Sequence, residues 1–151
     1  MDDRNVNLTA AGVFDTITGF LRSQILFAAS ELGVFDALAS DDEKKKTALQ
    51  LATELSTDVD AMERLLNSCV SLHLLSKSLD PDKNALYWNT EATSQYLTVG
   101  ATTSLRGFIR HYKMTMYPLM ANLDHAVREG KDQLVKTFGV PAAGSMRNLR
   151  G

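Results

Sequence analysis

The chain has 151 residues, 44% of them hydrophobic and 23% charged, which suits one soluble globular domain; a chain of about 150 residues buries roughly 70% of its unfolded surface. Its 16 Lys and Arg against 18 Asp and Glu leave a formal net charge of -2, so no electrostatic ground exists for a phosphate backbone or an anionic membrane as partner. A single cysteine, Cys69, excludes an intrachain disulfide framework and a multi-cysteine metal site, and its apolar periodic surroundings mark it as a small core residue.

Residues 1–12, MDDRNVNLTAAG, are polar and small and read as a flexible arm. They lack the basic start and apolar core of a signal peptide, and no apolar run reaches the ~18 residues of a membrane span, so a cytosolic protein is expected. A helix of about twenty residues, roughly 30 Å long, is predicted over residues 13–32. Its apolar residues include Val13, Phe14, Ile17, Phe20, Leu21, Ile25, Leu26, Phe27 and Leu32, and Leu21, Ile25 and Phe27 point in different directions. A helix apolar on most sides must be buried on most sides. One small domain covers one face, so a second copy is expected on the other, with Phe14, Ile17, Phe20, Leu21, Gln24, Ile25 and Phe27 as the dimer interface.

Gly33 is a natural stop for this helix, and Val34, Phe35, Ala37 and Leu38 form a short apolar turn beneath it. The run ASDDEKKK over residues 39–46 reads as a solvated loop, its three acids cancelling its three lysines. Thr47 is positioned to cap a short helix through Leu55. After a turn at Ser56, Thr57 and Asp58, a second helix repeats apolar residues at Met62, Leu65, Leu66, Cys69, Val70 and Leu72. Leu74, Leu75 and the residues to Leu79 read as a strand, Asp80-Pro81-Asp82-Lys83-Asn84 as a turn, and Ala85-Leu86-Tyr87-Trp88 as the returning strand. Two helices, a turn and a hairpin make a mainly α, winged-helix-like arrangement.

Winged helices often bind DNA, and a nucleic-acid-binding regulator is the alternative reading. Against it, residues 58–72 hold Asp58, Asp60 and Glu63 with Arg64 alone, and only Asn67 and Ser68 besides are suited to base contact.

Beyond the hairpin, residues 89–97 give a capped turn or short helix, and residues 99–104 break it. A second long helical region runs from Leu105 to Val127, where Pro118 is expected to kink or divide it and Gly130 to end it. A last partly apolar segment covers residues 134–141.

Three blocks carry a resemblance: QILFAASELGVFD at residues 24–36; YWNTE at 87–91 with Tyr96 and Leu97; and AVREG at 126–130 with TFGVP at 137–141. Together they resemble the N-terminal region of the acetylserotonin O-methyltransferase family over residues 13–141. The resemblance implies a winged-helix-like dimerisation domain whose long helices interlock with a partner subunit, hence a homodimer, and leaves open a heterodimer with a full-length methyltransferase. It also implies that S-adenosylmethionine and the catalytic base belong to a following Rossmann-like domain. Residues 142–151 depart from the family pattern and are expected to be a divergent tail. No strand, glycine-rich turn and acidic ribose partner occur in the sequence, so the chain alone is expected to be catalytically silent, with no cofactor of its own.

His73, His111 and His125 show no pairwise spacing that presents a metal with adjacent ligands, and no metal site is expected. Phe108, His111, Tyr112 and Thr115 lie on the helix that, by the resemblance, forms a wall of the aromatic acceptor's pocket. The same residues also suit plain helix packing.

Overall fold

The computed structural model describes residues 9–39 and 45–139. Residues 1–8 of the expected arm, Ser40 to Lys44 of the charged loop, Val140 and Pro141 of the last expected segment and the expected tail at 142–151 lie outside the described residues. The described chain is mainly helical with one two-stranded antiparallel sheet, and it divides into two compact units between Arg106 and Gly107.

The first unit opens with α1 (Ala10–Leu32), which begins earlier than the expected Val13 because Thr9 caps it, its side chain accepting from the Gly12 N–H at 3.2 Å. Gly33 ends α1 in the left-handed conformation, φ 80°, and its N–H bonds the Ala29 and Ser30 carbonyls. A side chain at that φ is strained, which is why glycine stands there. The chain turns at once into α2 (Val34–Ala37), whose Val34, Phe35 and Ala37 are buried. In α3 (Ala48–Glu54), Thr47 and Gln50 form a reciprocal capping box: the Gln50 N–H donates to Thr47 Oγ1 at 3.2 Å and the Thr47 N–H to Gln50 Oε1 at 2.7 Å. Asp58 caps α4 (Val59–Ser71) by accepting from the Ala61 N–H at 2.8 Å.

Strands β1 (Leu75–Leu79) and β2 (Ala85–Asn89) pair antiparallel, with Leu75 opposite Asn89 and Leu79 opposite Ala85. Asp80 closes the turn by accepting from Asn84 Nδ2 and the Asn84 N–H, and these bonds, the side-chain one first, hold its carboxyl below the usual carboxylate range. The hairpin packs on α3, α4 and α5 (Glu91–Tyr96), whose cap Thr90 accepts from the Thr93 N–H at 3.3 Å. Phe27, Phe35, Leu51, Met62, Leu66, Cys69, Leu75 and Tyr87 form the core.

Lys46 corrects the expectation of a solvated lysine run. It is 6% exposed, its ammonium donates to Glu54 Oε2 at 2.8 Å, and its backbone exchanges two hydrogen bonds with Tyr87 in an isolated bridge beside the hairpin. The backbone bridge draws residue 46 into the fold, and a charge taken there requires a partner. Lys45 remains exposed, its ammonium 4.2 Å from the centre of the Trp88 ring.

The second unit starts within α6 (Arg106–His111). Just before Pro118, where a kink or division of the helix is expected, the helical register changes. Tyr112–Met116 form a π turn in which the Tyr117 N–H reaches the Tyr112 carbonyl, and α7 (Tyr117–Met120) follows with Pro118 in its first turn, where the missing N–H is harmless. The break comes at Ala121 and Asn122, where Asn122 Nδ2 donates to the Pro118 carbonyl at 3.3 Å and to Thr137 Oγ1 at 3.1 Å. Helix α8 (Leu123–Glu129) ends at Gly130 and α9 (Leu134–Phe138) at Gly139, both left-handed.

Removing the Thr47 hydroxyl in Thr47→Ala breaks half of the capping box and is expected to cost about 1 kcal/mol, read as a lower urea midpoint at unchanged slope. Burial pushes the Cys69 thiol from 9.0 up to about 12. Because the folded value lies above the unfolded one, this contribution to stability is present below pH 9.0 and lost as pH rises toward about 12. The native protein at about pH 8 should therefore leave Cys69 unlabelled by an aromatic disulfide reagent, whereas the urea-unfolded chain should react fully.

Candidate functional site

The largest uncovered feature of the first unit is on α1. The helix has 23 residues, about 35 Å at helical rise, yet its only buried side chains, Phe27 and Ala29, lie in its C-terminal half. Among residues 10–23 none is buried. Phe14 is 67% exposed, Ile17 64%, Phe20 51% and Leu21 47%.

At about 100° per residue, Val13, Phe14, Ile17, Phe20, Leu21, Ile25 and Leu32 share one sector of the helix surface. The face turned into the core centres on Leu26 and Ser30, roughly opposite that sector, and is bracketed by Ala29 and by Phe27, which lies about 20° from Phe20 at the sector's edge. The apolar residues that suggested a helix greasy all round thus resolve into two roughly opposite faces. One packs on α4 and α2; the other is a stripe of the kind that marks an interaction surface.

Of the seven expected interface residues, the structure brings Phe14, Ile17, Phe20 and Leu21 together in the exposed stripe. Gln24 and Ile25 are half-buried at its inner end, and Phe27, 7% exposed, belongs to the subunit's own core. Val13 and Leu32, exposed in the same sector, extend the stripe at both ends; Val13 stands four residues before Ile17 and Leu32 seven after Ile25, and this helical spacing is the available signal.

The second unit is also sparsely covered. Among its described residues only Ile109 and Gln133 are buried. Phe108 and Tyr112 stack with ring centres 4.4 Å apart, and His111 meets the Tyr112 ring edge-on at 6.0 Å. Phe108, His111 and Tyr112 are exposed, whereas Thr115 is half-buried. The four expected pocket-wall residues thus occupy one stretch through α6 and the π turn, and three of them are open to contact.

Asp36 has a structural part that the sequence alone did not assign. Its carboxylate accepts from the Val99 N–H at 2.8 Å and from the Arg106 guanidinium, tying α2 to the loop after α5.

The groups on α4 suited to base contact are occupied within the fold. Asn67 Oδ1 accepts from Lys77 Nζ at 2.8 Å and from the buried Tyr87 hydroxyl at 3.0 Å, and the Ser68 hydroxyl donates to the Arg64 carbonyl at 2.8 Å. Asp60, Glu63 and Arg64 are exposed, so an acidic surface remains. Among the described residues no group of three His, Cys, Asp or Glu is placed to hold a metal ion, and no helix is long and apolar enough to cross a membrane.

The O-methyltransferase dimerisation domain matches residues 14–99. Acetylserotonin O-methyltransferase of Bos taurus is 43% identical over 124 residues, 82% of this chain and 35% of that protein. The Homo sapiens protein of the same name is 43% identical over 128 residues, 85% of this chain and 36% of that protein. The crystal structure of human N-acetylserotonin methyltransferase in complex with SAM is similar at a TM-score of 0.84 and 38% identity, over 95% of this chain and 41% of that one. The chain spans about a third of the length of these curated relatives.

Proposed function

Because the chain belongs to the O-methyltransferase dimerisation domain family, we propose that it joins two subunits of an acetylserotonin-type O-methyltransferase through the exposed stripe of α1. The reaction served is methyl transfer from S-adenosylmethionine to an aromatic hydroxyl, in the cytoplasm. What supports the reading above all is α1 itself. Its N-terminal half carries Phe14, Ile17, Phe20 and Leu21 in the open, while its buried side chains, Phe27 and Ala29, lie in the C-terminal half. A second copy offers the same stripe, and a two-fold pairing of identical apolar faces buries both at once. A longer methyltransferase chain with the same stripe would be accepted equally, as a heterodimer.

The order α3, turn, α4, hairpin is read as a winged-helix arrangement used for support. The acidic outer surface of α4 and the internal bonding of Asn67 oppose a nucleic-acid role. Phe108, His111, Tyr112 and, more deeply, Thr115 are read as one wall of the acceptor's pocket, the Phe108 and Tyr112 rings offering flat apolar faces to an aromatic ring. This chain's part in the chemistry is therefore to shape and enclose. The methyl donor is a nucleoside that requires a ribose-recognising turn, and the residues named here are read as wall rather than as such a turn.

Light scattering of the purified chain is expected to give twice the chain mass, and titration calorimetry with S-adenosylmethionine no binding heat. Phe20→Asp and Ile25→Asp should each yield monomer or aggregate, since an unpaired charge in a buried contact costs on the order of 3 kcal/mol or more. A well-behaved monomer at high concentration in the unmodified chain would overturn the reading.

A further inference from the structure

The two halves of α1 differ in what holds them. Residues 24–32 are anchored by Phe27 and Ala29 in the core and by the Gly33 cap. Residues 10–23 have no buried side chain. Their sequence, AAGVFDTITGFLRS, is also poor in intrinsic helix formers: only Ala10, Ala11, Leu21 and Arg22 rank high, against Gly12 and Gly19, three β-branched residues between Val13 and Ile17, and Thr18.

Local devices do little to offset this. The first turn carries no acidic residue, and the Thr16 and Thr18 hydroxyls donate back to the Gly12 and Phe14 carbonyls, a bonding pattern that slightly weakens a helix. The one ion pair, Arg22 with Asp15, is more than half exposed on both sides and so contributes little. A helical segment of this length without tertiary support is marginal in water.

We infer that residues 10–23 take up their helix as two copies associate, so that dimerisation and the folding of this segment are one event. The inference rests on the reading that a second copy covers α1. The apolar stripe that makes contact is then also what stabilises the helix carrying it. Association carries the ordering cost of the segment, which lowers affinity for a given buried area and leaves the uncovered subunit open to proteolysis.

Arg22, the only Lys or Arg in α1, makes the state of the segment measurable. The full chain is followed over a concentration series by light scattering, with trypsin cleavage after Arg22 timed by mass spectrometry in parallel. Cleavage should be at least tenfold faster, roughly, in the dilute monomer than in the dimer, because cutting tracks the open population. Gly19→Ala supplies a second measurement: its new Cβ meets nothing within 4 Å, and it lies opposite the stripe. If the helix forms on association, this change should tighten the dimer about fivefold per helix, or roughly 20-fold in dissociation constant.

A dimer whose monomer is as resistant at Arg22 as the dimer, or whose dissociation constant is not tightened by Gly19→Ala, would overturn the coupling and leave the interface standing. Absence of any dimer across the series would overturn both.

Discussion

A single helix cannot bury two opposite faces in one thin layer of protein, and that constraint governs this molecule. The inner face of α1, around Leu26, Phe27, Ala29 and Ser30, is held by α4 and α2. Its outer face begins thirteen residues before Leu26, with Val13, and carries bulky apolar side chains over four turns or so without cover from the chain. Water does not tolerate such a ridge well, since each large side chain left exposed forfeits about 1.5–3 kcal/mol of available burial. In the proposed reading the missing cover is a second copy, and the rest of the first unit exists to hold the ridge at a fixed angle.

That holding is done by local chemistry of modest individual strength placed at every joint. Gly33 turns the chain from α1 into α2, and Asp36 at once binds the Val99 N–H and the Arg106 guanidinium. Asn89 Nδ2 reaches the Phe35 carbonyl at 2.8 Å, and Thr93 Oγ1 donates to the Leu74 carbonyl at 2.6 Å, so the end of the hairpin is pinned to α2 and α5 is pinned to the hairpin. Tyr87 is the centre of this arrangement. Its ring is fully buried, its hydroxyl is satisfied by Asn67, and its backbone holds Lys46 on the side away from β1. A buried tyrosine with its hydroxyl unpaired would be costly; with Asn67 in reach it becomes a link between α4 and the hairpin.

The second unit shows the same logic at lower density. Two left-handed glycines end its last helices, and a π turn absorbs Pro118. Its aromatic rings lie mostly on the surface, which fits a wall awaiting a ligand or partner better than a finished core. This is why the proposed role divides into joining through α1 and enclosing through α6 and the π turn.

The sequence by itself determined the joints, because capping and left-handed turns are decided by a few neighbouring atoms: Thr9 and Gly139 aside, the stops and starts at Gly33, Thr47, Asp58, Asn84 and Gly130 sit where their side chains, or lack of one, require. The apolar spacing of α4 likewise announced Met62, Leu66 and Cys69 as core. What only the tertiary structure decided was allocation. Phe27 and Phe20 are the same residue type seven residues apart, about 20° apart in direction on one helix, and nothing local tells that the subunit covers the first and leaves the second open. Lys46 is one of three consecutive lysines, and only the distant Tyr87 and Glu54 select it for burial. Pairings between residues far apart in the chain leave no periodic trace, because they depend on which face of each element the completed fold has already occupied.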